Sequence, residues 1–289
     1  MLVSGFTFVR NGIKLDYPFI ESINSLLPLV DELIVVCGNS EDGTRSAIEN
    51  ISSQKIKIID SVWDDSLREG GKVLAVETNK ALDHISPNAN WAFYLQADEV
   101  VHEDDYEFIH SAMKNNLYDK SIDGLLFHYI HFYGTYRFYG DTRRWYRKEI
   151  RIIRNDRQIR SWRDAQGFRK DGKKLCVKQV DARIFHYGWV KPPDKQQLKQ
   201  QSFHRLWHDD QWMKKNVGDA AEFDYSGIDS LSVFTGTHPA VMKQRIESAN
   251  WQVTVYAQEK KLSFKNRLLM KIERLTGWRI GEYRNYRIR

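Results

Sequence analysis

The stretch Trp91–Glu99, WAFYLQADE, decides how this 289-residue chain is read. Five apolar residues run without helical spacing into an amide and two acids. A short apolar run bounded by turn residues reads as a strand buried on both faces. Its carboxyl end then carries Gln96, Asp98 and Glu99. Ligands on open α/β sheets bind at that end of the strands. A carboxylate there can hold a divalent cation through hard oxygen donors, which suits Mg²⁺ or Mn²⁺. The alternative is local: Asp98 and Glu99 cap the helix that follows residue 103.

Working outward, the first 120 residues alternate strand and helix signals. Leu2–Val9 reads as a buried strand ending at Arg10-Asn11-Gly12, after which Asp16 caps a helix with Pro18 in its first turn. Ile20, Ile23 and Leu27 share one face of that helix. Asp31–Cys37 is a second buried strand, and Gly43 and Thr44 open a helix with Ala47, Ile48 and Ile51 inward. Lys55–Asp60 alternates as a third strand, and Gly70-Gly71 precede a helix through Ala75, Thr78, Ala81 and Leu82. Strands separated by helices of this size predict right-handed crossovers and a parallel sheet. Arg10, Asn39–Asp42, Asp60 and Asp98 then all fall at carboxyl ends of strands.

From Gly124 the pattern changes to aromatic strand-like runs: Leu125–Phe132, Glu149–Arg154, Leu175–Val180 and Arg183–Tyr187. These extend the same sheet. After Pro192-Pro193 the chain turns helical, near 194–208, 238–260 and 264–275, which divides it into residues 1–190 and a C-terminal extension, 191–289. The longest apolar run is five residues, too short to span a bilayer. The first eleven residues have no apolar core of a secretory signal, and Cys37 and Cys176 sit far apart in apolar runs. Two reduced thiols and no signal lead to the expectation of a cytoplasmic protein.

The net charge is +6, with 44 Lys and Arg against 38 Asp and Glu. Residues 261–289 hold nine basic and two acidic side chains, so residues 1–260 carry 35 and 36. A nearly neutral body argues against a nucleic-acid partner.

The order of these motifs resembles family-2 glycosyltransferases with the Rossmann-like GT-A fold, over roughly residues 1–190. In that family a strand ending in VVDDGSTDGT is followed by a strand ending in a DxD motif. Val35–Thr44 reads VVCGNSEDGT, and Gln96-Ala97-Asp98 stands where DxD is expected. The resemblance implies an α/β fold with a mixed sheet, flanking helices and a mostly helical C-terminal extension. It also implies an inverting transfer of sugar from a nucleoside-diphosphate donor to a hydroxyl of a glycan or lipid-linked glycan, as in bacterial surface polysaccharide or lipopolysaccharide synthesis. The chain departs from the family where Cys37 and Gly38 replace two aspartates near the base, and where Gln96 replaces the first acid of DxD.

On this resemblance Asp98 and His186, at the end of RIFHYGW, hold Mn²⁺ or Mg²⁺ with the donor diphosphate. Arg10, Asp42, Asp60, Lys72, Gln96 and Asp98 line the donor site. The acceptor's proton goes to an acid after the added strands: Asp164 in SWRDAQGF, with Asp141 and Glu149 as rivals. Glu149 reads equally as an ion-pair partner on a strand surface. His128 and His131, three apart, fall on opposite strand faces, one toward the acceptor and one structural. Arg151, Arg154, Arg157, Arg160 and Arg163 form either a cationic rim or a solvated surface. Thr237 or His238 caps the helix near Ala240 or shapes the acceptor pocket.

Residues 264–275 set Phe264, Leu268, Leu269, Ile272 and Leu275 opposite Lys265, Arg267, Lys271 and Arg274. A basic amphipathic helix of this kind either lies on an anionic membrane surface or packs its apolar face on protein. The first choice makes residues 261–289 a peripheral anchor to the inner leaflet. Two other functions fit less of the pattern. One is a non-catalytic scaffold of glycosyltransferase form, motivated by Gln96. The other is a sugar nucleotidyltransferase, whose Gly-rich basic loop is reduced here to Arg10-Asn11-Gly12.

Overall fold

The computed structural model describes residues 1–217, 220–253 and 262–289. Its N-terminal part alternates β1 (Val3–Val9), α1 (Phe19–Leu26), β2 (Glu32–Gly38), α2 (Thr44–Glu49), β3 (Ile56–Ser61), α3 (Lys72–Asp83) and β4 (Trp91–Tyr94). β1 runs parallel to both β2 and β4, and β2 runs parallel to β3. The parallel sheet therefore forms as the alternation predicts. Every residue of β2 is buried, because each face of the sheet is covered.

The two faces can be read along single strands. Leu33, Val35 and Cys37 face a core shared with Phe19, Ile23 and Leu26 of α1. Ile34 and Val36 between them face a second core with Ala81 and Leu82 of α3. The same alternation sends Trp91 and Phe93 of β4 to the first core and Ala92 and Tyr94 to the second. Each such side chain contributes roughly 1.5–3 kcal/mol by leaving water.

The chain continues through β5 (Glu99–Val101), α4 (Tyr106–Asn115), β6 (Gly124–Tyr133), β7 (Thr135–Gly140) and β8 (Lys148–Arg154). It then makes β9 (Ile159–Trp162), β10 (Gly167–Lys170), β11 (Lys173–Lys174) and β12 (Cys176–Trp189). β8 enters antiparallel between β4 and β6, which makes the sheet mixed. β12 lies parallel to β6 and antiparallel to β5. The runs 175–180 and 183–187 are thus one strand, with an irregularity between Gln179 and Arg183. The last segments are α5 (Pro193–Arg205), α6 (Asp210–Asn216), β13 (Leu231–Val233), α7 (Lys243–Glu247), α8 (Phe264–Thr276) and β14 (Arg287–Ile288). β13 and β14 join the same sheet through β7 and β12. The whole is a mixed α/β sheet with flanking helices and a mostly helical C-terminal part.

β9, β10 and β11 form a small antiparallel sheet. Phe168 of β10 locks it to the main sheet, edge-on to Tyr94 at 5.6 Å and to Phe6 at 6.2 Å.

Several local expectations give way. Asp16 is not a helix cap: it adopts φ +51°, and α1 starts only at Phe19, after Pro18. Between 238 and 253 the helix is limited to a short 3-10 turn at Ala240–Met242 and α7, and residues 254–260 lie outside the described residues. Neither Thr237 nor His238 caps it: Pro239 precedes the turn, while His238 bonds Tyr187 and Thr237 bonds His102. The arginine run does not form a rim. Arg151 is fully buried, Arg154 binds four loop carbonyls and covers Trp91, and Arg160 pairs with Asp83.

Arg151 meets Glu99, which is also fully inaccessible and does not cap a helix. Both Glu99 oxygens accept from the guanidinium at 2.7 Å, and Tyr129 donates to one of them at 2.8 Å. Removing one member of such a pair leaves a charge with no solvent and no partner. Glu99→Ala is expected to lower the unfolding free energy by about 3–5 kcal/mol, measured by urea denaturation. Glu99→Leu combined with Arg151→Met should recover most of that loss. A single variant as stable as the parent would refute this account.

Candidate functional site

A cleft of about 470 Å³ opens at the carboxyl ends of β1 and β4, walled by residues 8–11, Trp63, Gln96–Asp98 and the face of α5 around Lys199, Ser202 and Phe203. Trp63 packs on Phe8, and the Arg10 guanidinium lies 5.3 Å over its ring while pairing with Asp65 at 2.7 Å. This packing explains Gly38. A Cβ there would come within 2.5 Å of the Trp63 Nε1 and 2.9 Å of the Arg10 Cβ. The chain has thus given up a side chain at this strand end to admit an indole. The Arg10 Nε and the Trp63 Nε1 are buried with no hydrogen-bond partner among the described residues. Orphaned donors at a cleft wall call for an acceptor from a ligand or from water.

The turn after β4 is clamped from three sides. The Gln96 N–H donates to Glu99 Oε2 at 3.1 Å, the Glu99 N–H returns to the Gln96 carbonyl at 3.0 Å, and the Ser22 hydroxyl donates to that carbonyl at 2.9 Å. Asp98 is thereby fixed at the cleft floor, 9% exposed. Its Oδ2 accepts from the Lys199 Nζ at 3.1 Å and lies 3.7 Å from the His186 Nε2. Burial alone would raise this carboxyl, but the positive charge beside it, Lys199 foremost, outweighs burial and holds it well below the usual carboxylate range.

His186 and His131 are held neutral, mainly by burial. His131 Nε2 sits 2.8 Å from the Tyr146 carbonyl, which only accepts, so this nitrogen carries the hydrogen. His131 Nδ1 then accepts from His186 Nδ1 at 3.1 Å, which leaves a lone pair on His186 Nε2 facing Asp98. His131 is therefore the histidine on the site's side. His128, on the opposite face, bonds Gln179 at 2.7 Å.

Two lysines flank the floor. Lys199 donates to the Gly188 carbonyl at 2.7 Å, and its Nζ lies 5.0 Å from the Tyr17 ring centre. Lys191, fully buried, lies 4.4 Å over the same ring and donates to the Asp16 carbonyl at 2.6 Å. Arg245 reaches that carbonyl too, at 3.0 Å.

Asp164 sits in the turn between β9 and β10, between Arg163 at φ +55° and Ala165 at φ +61°. Left-handed backbone on both sides of one residue marks a turn held by its surroundings. Gln96 Nε2 donates to the Ala165 carbonyl at 3.5 Å, which hangs this turn beside the β4 terminus. Burial raises the Asp164 carboxyl above its ordinary value. Glu149 is more deeply enclosed: its Oε2 has no partner among the described residues, and burial pushes its pKa up to about 8. It is not a surface ion-pair residue.

Arg10, Gln96 and Asp98 line the cleft; His186 and Asp164 do not, but His186 lies 3.7 Å from Asp98 and Asp164 sits in the turn tied to Gln96. Asp42, Asp60 and Lys72 are not among the residues lining the cleft. Asp42 binds Thr44 and the Lys14 N–H, Asp60 is exposed and forked to Arg45, and Lys72 is exposed beside Glu69. Lys199, Tyr17 and Trp63 were not anticipated. The polar stretch PDKQQLKQQSFHR of α5 does not mark Lys199 out, whereas Trp63, one turn beyond a strand end, could have been suspected.

No family model and no curated protein sequence matches the chain. Among solved structures it is similar to S. aureus TarS, with 14% identity and a TM-score of 0.39, covering 70% of this chain and 39% of that one. It is similar to the mannosyltransferase PcManGT from Pyrobaculum calidifontis, solved in complex with GDP-Man and Mn²⁺, with 20% identity and a TM-score of 0.32. That match covers 43% of this chain and 34% of the other. It is also similar to 4-diphosphocytidyl-2C-methyl-D-erythritol synthase from Anaerococcus prevotii, with 12% identity and a TM-score of 0.39, covering 66% of this chain and 89% of that one. These likenesses are remote and assign no residue a role.

Glu149 generates a pH dependence of stability. Its folded pKa of about 8 lies above the ordinary 4.5, so between these values the folded chain keeps a proton that the unfolded chain releases. The stabilisation is complete below about pH 4.5, is lost as pH rises to about 8, and changes no further above it. Glu149→Gln should flatten that decline and exceed the parent in Tm above about pH 8, as read by melting curves across this range. Parallel curves for the two proteins would refute it.

Proposed function

We propose that this chain is an inverting GT-A glycosyltransferase of the family-2 type. One observation carries the reading. A carboxylate lies on the floor of a strand-end cleft, and a second acid sits in a turn whose Ala165 carbonyl accepts from Gln96 of the same cleft. The first group, with its basic neighbours, suits the leaving diphosphate of a nucleotide sugar, and the second suits the incoming hydroxyl.

In this mechanism the acceptor oxygen forms a bond to the anomeric carbon as the bond from that carbon to the diphosphate oxygen breaks. The electron pair of the broken bond leaves with the diphosphate, and the acceptor proton passes to Asp164. A carboxyl raised above its ordinary pKa is a better base for that proton. Arg10 and the Trp63 indole offer donors to the nucleotide part of the donor.

The family resemblance would place a Mn²⁺ or Mg²⁺ ion on Asp98 and His186, to supply positive charge to the leaving group. As it stands, the donor set does not suit a hard dication. It offers one carboxylate and one imidazole, Gln96 supplies no charge, and the Asp98 oxygen facing His186 already accepts from Lys199. Among the described residues no group of three or more His, Cys, Asp or Glu could hold an ion.

The acceptor is a hydroxyl of a glycan or lipid-linked glycan of a bacterial surface polymer, reached at an anionic membrane surface. The support is the C-terminal helix. Glu273 of α8 pairs with Arg143 and Arg147 of the body, while Phe264, Leu268, Leu275 and Trp278 stay exposed. An apolar strip beside Lys and Arg is the composition of an interfacial helix. No described helix is long and apolar enough to cross a membrane.

Two outcomes test these assignments. With a panel of nucleotide sugars, Asp164→Asn should lower turnover about 10²–10⁴-fold while leaving nucleoside diphosphate binding intact. Turnover at the parental rate would move the base elsewhere, and Glu149 would be next. The full chain should bind vesicles containing anionic lipid and release with added salt, whereas a chain ending at Lys260 should not bind. Equal binding by the two would sink the membrane role.

A further inference from the structure

We propose that the ammonium of Lys199 is the resident cation of this site, and that it receives the diphosphate of the donor without a divalent metal ion. The proposal rests on the glycosyltransferase reading and names how that site handles its leaving group.

Four observations carry it. Lys199 reaches Asp98 from α5, across a separation of 101 residues, and is 12% exposed at its side chain. Its Nζ has three hydrogens; one goes to Asp98 at 3.1 Å and one to the Gly188 carbonyl at 2.7 Å. The third has no partner among the described residues, and Lys199 lines the cleft. The charge is thus fixed in place with one donor still to offer.

Second, the floor is built closely around this contact. A Cβ on Gly188 would stand 2.6 Å from Asp98 Oδ2 and 2.7 Å from His186 Nε2. Glycine is what lets the backbone approach closely enough for its carbonyl to take the ammonium. Third, the carboxylate count matches a single positive charge. With Gln96 beside Asp98, one acid faces one ammonium, and a dication would add charge that these side chains do not offset. Fourth, α5 is held rigidly behind the lysine. Pro193 sets its first turn, and the buried Lys191 just before it is pinned to the Asp16 carbonyl.

The chemistry follows. When the bond from the anomeric carbon to the diphosphate oxygen breaks, negative charge grows on that diphosphate. An ammonium already desolvated and oriented stabilises it without reorganisation at that moment. Asp98 then has a positioning role: it holds Lys199, as it would otherwise hold a metal ion.

The test uses the full chain and calorimetric titration with UDP and with GDP, in EDTA and in Mn²⁺. The parent is expected to bind one of these nucleotides in EDTA with an affinity within about threefold of that in Mn²⁺. Lys199→Ala is expected to lose at least about tenfold in EDTA, the value of one charge-assisted hydrogen bond. Lys199→Arg should retain more of the affinity than Lys199→Ala. Binding by the parent only in Mn²⁺ would overturn the proposal and leave the glycosyltransferase reading standing. Undiminished binding by Lys199→Ala in EDTA, with a melting curve showing it folded, would overturn it as well. Binding of neither nucleotide under either condition would overturn the glycosyltransferase reading itself. The EDTA arm on the parent decides the matter even if the variants do not fold.

Discussion

The buried pair of Glu99 and Arg151 is the constraint on which the cleft depends. Two full charges sit where no water reaches, so every lone pair and hydrogen must be met by protein. The Glu99 oxygens take Arg151, Tyr129 and the Gln96 N–H, and the last of these shapes the turn that carries Asp98. On the other side the Arg151 Nη1 reaches the Ile150 and Gln166 carbonyls at 2.9 and 3.1 Å, and Gln166 is two residues from Asp164. The rings of Tyr94 and Tyr129 each lie 5.3 Å from the guanidinium carbon. One ion pair therefore sets the relation between the two acids assigned to leaving group and acceptor. Its geometry is all-or-none, because a partial version would bury a bare charge.

The parallel half of the fold was readable because it is written in local patterns. β2 and β4 are continuous apolar runs, since both faces are covered, and their flanking polar residues mark the ends. The insertion of β8 between β4 and β6 was not readable, because strand order is decided by pairing across the sheet and leaves no periodic trace. The arginines were expected together on a cationic rim or a solvated surface. Instead Arg151 turns into the core, Arg154 covers the Trp91 ring and Arg160 pairs with Asp83, because strand residues face alternate ways and the chain turns between β8 and β9.

The site was legible to the extent that it is built from strand ends. Arg10, Gln96 and Asp98 follow β1 and β4 directly, and they line the cleft. Asp60 also stands at a strand end yet turns to solvent and Arg45, because alternate residues of a strand face opposite ways. Lys199 and Tyr17 come from segments with no pattern of their own and meet Asp98 only through tertiary packing. Glu149 was visible as an acid within an apolar alternation, but only its enclosure separates it from an ordinary surface glutamate.

The carbonyl of Asp16 accepts from Lys191, 175 residues away, and from Arg245, 229 residues away. That carbonyl points where it does because Asp16 holds a left-handed backbone, and it secures the wall on which Tyr17 and both lysines rest. The order of assembly follows from this. While the chain is being synthesised, β1 to β4 can pair as soon as they emerge, but the wall cannot close until residue 245 is free to reach it. Contacts of such separation carry the full cost of loop closure and form late. The open edge of β4 waits a shorter interval, until β8 at Lys148–Arg154 emerges to cover it. This protein is therefore most exposed to misassembly through the half of its sheet that is easiest to recognise.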